Sequence, residues 1–328
     1  MGHRMRHSRL IVILSWLMLG LSGLTLADDI KTPKEHIRTP DQTYLTFPEW
    51  YLVHSPTEYA EYLKDNKPSQ FPYFAHIGQF WDSYSAVHNA TKDTYPFNGE
   101  YHTMITVIGV STTAEYGVKG AYELTFGRLT EATRTHGQTD EDRIAANEAD
   151  KYAKFILELP WYEFDYLESL KSLWGDTAFF GPDMIRKLER KYSLTSEYII
   201  KAFYALLIEK ASAASFDAPI HQTAVITTES DLLLLPRYRP FTYTAQKLAQ
   251  TGTNFEEIAG NKGKVVLSLW ATENWTADVL NATTLFSQPI ITQSGQHRYV
   301  LEIDVADLAE ALRTISSSDL RLEHIYDY

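Results

Sequence analysis

The sequence predicts an α+β protein, a mostly helical N-terminal domain followed by a ferredoxin-like α/β layer. Three observations carry that expectation. Between Tyr44 and Phe216 apolar residues recur at helical spacing behind recognisable caps. After Phe216 threonine and β-branched residues rise, in short runs separated by Gly, Asn and Pro. Those runs read strand–helix–strand–strand–helix–strand, the order of a ferredoxin-like unit. At 328 residues the chain has room for about two domains of ~150 residues. The expected divisions are an export segment over residues 1–27, a polar tether over 28–43, an aromatic-rich helical domain over 44–217 and the α/β layer over 218–328.

The chain begins with Arg4, Arg6 and Arg9, then an uncharged apolar run over residues 10–19, then small residues through Thr25 and Ala27. That is the layout of a secretory signal. The apolar stretch over residues 10–26 also reaches the lower edge of a membrane span, so cleavage after Ala27 and retention as an anchor both stand. Removal of residues 1–27 takes three basic residues and no acid, moving the charge from −12 to −15. The chain is therefore read as exported, periplasmic or anchored to the inner membrane facing the periplasm. The polar segment after it is punctuated by Pro33 and Pro40.

Residues 43–54 read as one strand interrupted by Pro48, and Ser55-Pro56-Thr57-Glu58 as the capping box of a following helix. Ile77, Trp81, Tyr84 and His88 fall on one face of the next helix. Thr139 caps another, with Ala145, Ala149, Tyr152, Ile156 and Leu159 inward and Pro160 as its end. Gly181-Pro182 opens a helix carrying Met184, Ile185, Leu188 and Tyr192. Thr195 then caps a further one, whose Ile199, Ile200, Phe203, Leu206, Leu207 and Ala211 are expected at the centre of the core. In the last third, residues 232–235 read as a buried strand and residues 240–251 as a helix stopped by Gly252. Residues 255–258 and 265–271 read as a hairpin. A strand over 299–305, a helix through Leu308, Leu312 and Ile315, and a strand over 320–326 complete the pattern, with an insertion near residues 272–296.

Composition excludes several functions. Hydrophobic residues at 44% and charged residues at 22% describe a folded globular chain. The absence of cysteine removes disulfide scaffolds, zinc ribbons and thiol nucleophiles. With 30 basic against 42 acidic residues, nucleic acid is not an expected partner. There is no Gly-rich phosphate loop, no GxSxG or SxxK, and no HExxH; the one His pair at i, i+4 is His3/His7 within the export segment. No metal and no cofactor are expected.

Three constellations remain. Phe47-Pro48-Glu49-Trp50-Tyr51, with Phe71-Pro72-Tyr73-Phe74 and Phe80-Trp81, offers rings beside a carboxylate, suited to a sugar, peptide or amphipathic lipid; the plainer reading is an aromatic core. Glu115, Lys119 and Glu123 at i, i+4 and i+8 form either a buried relay or a solvated ladder of pairs. Glu163 and Asp165 share a face, where they could divide acid and base roles, only in an extended segment; Asp165 otherwise reads as a simple cap or surface residue. A basic stripe, Arg186, Lys187, Arg190 and Lys191, reads as a solvated helix face, with contact to anionic lipid as the alternative. The expected ligand site is Glu49, Trp50, Trp81, Glu115 and Lys119 in the helical domain. Two functions follow. One is a non-catalytic exported envelope protein that binds a small molecule or another envelope component. The alternative is an envelope hydrolase or transferase using carboxylates as acid and base, and the absence of nucleophile and metal motifs favours the former.

Overall fold

The structure, a computed structural model, describes residues 30–215 and 221–327. The expected export segment and the expected boundary at residues 216–220 lie outside these residues. The chain is α+β: a helical layer comes first, and two antiparallel sheets with two helices follow.

Helix α1 (Gln42–Tyr62) runs straight through Pro48 and Pro56, so neither the expected strand nor the capping box at Ser55 forms. An interior proline lacks the amide donor and costs ~3 kcal/mol, which argued for a break. Burial overrides it: Tyr44, Phe47, Trp50 and Tyr51 are all enclosed, each contributing about 2–3 kcal/mol. Helix α2 (Tyr73–Thr91) buries Tyr73, His76, Phe80, Ser83 and Val87. The expected stripe through Trp81 and Tyr84 is displaced from that line and half-buried toward Ile105 of α3 (Gly99–Tyr122). Asn98 caps α3 by accepting from the Tyr101 amide at 3.1 Å. One π-helical turn, Glu123–Gly127, leads on into α4 (Arg128–Ala132).

Thr139 caps α5 (Asp140–Phe155) as expected, accepting from the Asp142 amide at 3.2 Å; Glu141 and Asp142 are buried, and the helix ends before Pro160. Asp165 is the cap of α6 (Tyr166–Gly175), accepting from the Glu168 amide at 2.9 Å. Helix α7 (Met184–Ser215) is continuous through Thr195.

Strand β1 (Gln222–Thr227) lies between β2 (Leu232–Pro236) and β3 (Phe255–Ile258) in a three-stranded sheet. Because β3 pairs with β1, the expected hairpin between residues 255–258 and 265–271 is not made. Strand β2 is an edge and mostly exposed, where a buried strand was expected. Helix α8 (Arg239–Gln250) buries Phe241, Ala245 and Ala249, and Gly252 at φ +99° supplies the left-handed stop.

The second sheet contains β4 (Lys264–Thr272), β5 (Thr283–Pro289), β6 (Gln296–Asp304) and β7 (Arg321–Tyr326) in the order β5-β6-β4-β7, all antiparallel. Helix α9 (Val305–Ser316) joins β6 to β7. This is the ferredoxin-like strand order, beginning at β4, with the first crossover helix reduced to the short turn Ala277–Leu280. The segment that reads as an insertion supplies the edge strand β5, whose half-exposed residues carry little alternation.

Strand β4 is buried on both faces, as its apolar run, interrupted only by Ser268, implies. Val265, Leu267 and Leu269 meet α8 and α9 with Leu308, Leu312 and Ile315. On the other face Val266, Val300 and Tyr326 pack against Tyr44, Phe47 and Trp50 of α1. Thus α1 is the element on which the helical layer and the sheet meet.

Candidate functional site

The five residues expected to form one site are distributed over three places. Trp50 points at the sheet and stacks on His324 at 3.4 Å between ring centres. Glu49 turns the other way and accepts from the Tyr101 hydroxyl at 2.7 Å. Burial raises the Glu49 carboxyl above its ordinary range, against the Tyr101 hydrogen bond and Arg237. Trp81 donates from Nε1 to Thr113 Oγ1 at 3.0 Å. Glu115 is 47% exposed, so the relay expectation fails for it; its partner is Lys201 at 2.9 Å. Lys119 reaches Glu197 at 2.9 Å, not Glu115 or Glu123.

Around Trp50 lies a buried polar centre that local sequence did not indicate. The Arg298 guanidinium, fully enclosed, donates from Nε and Nη2 to Glu323 at 2.7 and 2.8 Å and from Nη2 to Glu58 at 2.8 Å. Trp270 Nε1 and Ser268 Oγ also donate to Glu323, at 2.7 and 2.9 Å. Burial alone would raise Glu323, but Arg298 and then His54 hold it well below the usual carboxylate range. Glu58, with one contact to the guanidinium, goes the other way, because burial outweighs Arg298. His54 lies 3.4 Å from Glu323 and 3.0 Å from the Tyr326 hydroxyl, and burial lowers it to about 3. His76 bonds Ser55 at 2.9 Å and is likewise lowered to about 3 by burial and then Arg298. These histidines are neutral at physiological pH. The centre binds α1 to the sheet. Its one sequence signal is period-2 alternation, which puts Arg298 on the same face as Val300.

The basic stripe forms the second centre, and it is inverted relative to expectation. Arg186, Lys187, Arg190 and Lys191 are all buried. Arg186 donates to Asp142 at 2.7 Å and to the Gly127 carbonyl at 3.1 Å. Arg190 pairs with Glu123 at 2.8 Å, and Lys187 with Glu141 at 3.3 Å. Further along, Lys119–Glu197 and Lys201–Glu115 continue the line. Helix α7 therefore runs antiparallel to α3 and α4, joined by charges. The π turn belongs to this seam: its Gly127 leaves room for the Glu123 carboxylate, since a Cβ there would sit 2.3 Å from Oε2.

The opposite side of α7 carries the residues expected in the core. Ile185, Leu188 and Tyr192 are exposed, as are Ile199, Ile200, Phe203, Leu206 and Leu207. Helix α3 and its continuation do the same with Val107, Val110, Val118, Leu124, Phe126 and Leu129. Spacing gave the apolar stripe correctly; the side it faces is reversed.

A half-open pocket of about 170 Å³ adjoins the seam, lined in part by Lys67, Glu131, Arg134, Asp142 and Arg186. Its charges are already engaged, Lys67 and Arg134 both with Glu131 at 2.9 and 2.5 Å. The volume is below the ~300 Å³ at which small-molecule sites begin. Among the described residues no group of three or more His, Asp or Glu is arranged to hold a metal ion, and no helix is long and apolar enough to cross a membrane. Comparison with protein-family models, with curated proteins and with solved structures gave no match.

Proposed function

We propose that this chain is a non-catalytic exported envelope protein that binds an envelope component through its helical layer. The observation that carries the reading is the reversed polarity of α3 and α7: ionisable groups are consumed in pairs within the seam, and the outward surface is apolar. Catalysis needs acid, base or nucleophile facing a space where substrate sits. Here the carboxylates that burial raises are already engaged, Glu58 with Arg298, Glu49 with Tyr101 and Asp327 with Thr223. An exposed apolar surface of this extent marks an interaction site.

The test is photo-cross-linking of the full chain in its cell envelope. A photoreactive residue replaces Val118 or Phe203 on the helical face, or Leu234 or Val279 on the C-terminal part. Adducts confined to the first pair are expected. Adducts from the second pair alone would refute the reading, as would turnover of a chromogenic ester, phosphate or glycoside abolished by Glu49→Gln or Glu323→Gln.

A further inference from the structure

Helix α7 buries Arg186, Lys187, Arg190 and Lys191 and turns Ile185, Leu188, Ile199, Ile200, Phe203 and Leu207 outward. In water both halves of that arrangement are unfavourable, since buried ions lose hydration and exposed aliphatics keep theirs. It becomes favourable when the medium outside is itself apolar. We propose that the outward face of the α3–α7 pair is seated in the acyl region of a phospholipid bilayer, with both helices in the plane of the membrane; this rests on the envelope reading above.

Four features favour lipid over a second protein surface. Protein interfaces concentrate Arg, Trp and Tyr and under-use Val and Leu in their energetic centres. Here arginine is withdrawn, α3 turns out Met104, Val107, Val110 and Val118, and on α7 aliphatic residues outnumber the aromatic Tyr192, Phe203 and Tyr204. Second, on α7 the exposed residues from Ile199 to Leu207 fan over about 160° at 100° per residue, wider than a seam between two helices. Third, the surface is extensive. Ile185 to Leu207 covers ~33 Å of helix, and α3 adds its own outward residues across the Lys119–Glu197 and Lys201–Glu115 pairs. Fourth, the same chain presents a conventional surface elsewhere: among described residues 221–327 the exposed large hydrophobics are Leu232, Leu234, Tyr243 and Val279. The low mean hydropathy of α7 fits this geometry as well, because its charged side faces protein and only one side needs lipid.

The absence of cysteine makes the test direct. Single cysteines are introduced in the full chain by Val118→Cys, Phe203→Cys, Tyr243→Cys and Val279→Cys, and labelled with an environment-sensitive fluorophore. The labelled protein is reconstituted in vesicles of phosphatidylcholine and phosphatidylglycerol at about 3:1, an anionic bilayer surface. Acyl-chain nitroxide lipids should quench positions 118 and 203 about fivefold more than 243 and 279, with aqueous iodide giving the reverse order. Iodide access at 118 and 203 in vesicle-bound protein would overturn the proposal. So would shielding of both positions from iodide and nitroxide alike, which would place a second copy or another protein on the face. That last result would leave the binding reading standing and remove only the lipid.

Discussion

Replacing Arg298 with leucine tests whether α1 is fastened to the sheet by charge. The guanidinium has no solvent contact and spans Glu58 on α1 and Glu323 on β7 at 2.7–2.8 Å. Breaking a buried pair costs about 3–5 kcal/mol, because the partner is left charged without compensation. Two carboxylates are left here, but Trp270 and Ser268 still donate to Glu323, so about 4 kcal/mol is expected at pH 7.5. The pH dependence then separates electrostatics from lost packing. In the parent, Glu323 is held low by Arg298 and its contribution is lost only as pH falls through the acid range. In Arg298→Leu, burial and mutual repulsion raise both carboxyls above their unfolded values, so the folded form takes up protons and the deficit shrinks as pH falls. Urea titrations followed by tryptophan fluorescence at pH 7.5 and pH 5 measure this. The deficit should fall by about 1–2 kcal/mol at pH 5. A loss below about 1 kcal/mol, or the same loss at both pH values, would refute the account.

Four further outcomes follow from buried groups and from the space around two glycines. His54 and His76, lowered to about 3 by burial, contribute stability that is fully present above the unfolded value of 6.5 and is lost as pH falls toward 3. Each should cost about 2 kcal/mol at pH 5, and His54→Gln/His76→Gln should flatten the stability profile between pH 6.5 and 4. Asp327, enclosed beside Thr223, is pushed up to about 6 by burial, against Arg237, so its ionisation costs stability as pH rises from about 4 to 6. Asp327→Asn should therefore raise the melting temperature at pH 7.5, by about 1–2 kcal/mol of stability, and leave it unchanged at pH 4. Gly109→Ala would put a Cβ 2.3 Å from the Phe80 ring and 2.8 Å from Trp81, parting α2 from α3 at a cost of about 1–3 kcal/mol. Gly117→Ala meets nothing within 4 Å and should stabilise α3 by about 0.5–1 kcal/mol, a difference that thermal melts resolve.

The fold class was legible because it depends on periodicity, and the caps at Thr139 and Asp165 were legible because they depend on two or three adjacent residues. Residues 43–54 were misread as a strand because proline penalties are local while the burial of Tyr44, Phe47 and Trp50 is supplied by strands more than 200 residues away. For the same reason Glu58–Arg298 could not be found: 240 positions separate its members. Trp50 was singled out as a site residue and does lie beside a buried charge centre, yet its contact is a stack on His324, a packing role. Glu115 and Lys119 were correctly placed on one helix, but their partners, Lys201 and Glu197, sit on another.

The error on α7 has a different origin. Helical spacing defines an apolar stripe and a charged stripe on opposite sides, and it is the surrounding medium that decides which turns inward. Assigning the apolar side to the core assumes water outside. Under the proposed bilayer contact that assumption fails for one part of the chain only, and the two buried charge centres differ accordingly. Arg298 is fully enclosed, held between Glu58 and Glu323 and over the Trp270 ring. The seam of Arg186 and Arg190 has a small buried cluster on its inner side, Leu173, Leu194 and Tyr198, and its larger apolar set on the outer side, beyond the charges. Each outward aliphatic or aromatic side chain, about half exposed, forgoes ~1 kcal/mol in water, and α3 and α7 carry more than ten. The total is on the order of 10 kcal/mol, as large as the net stability of a typical fold. A packing rearrangement that turned those side chains inward would recover it, unless the recovery comes from outside. Contact with acyl chains supplies that recovery while leaving every ion pair of the seam in place, and the reversed stripe is then the ordinary outcome of hydrophobic burial with the bilayer as the core.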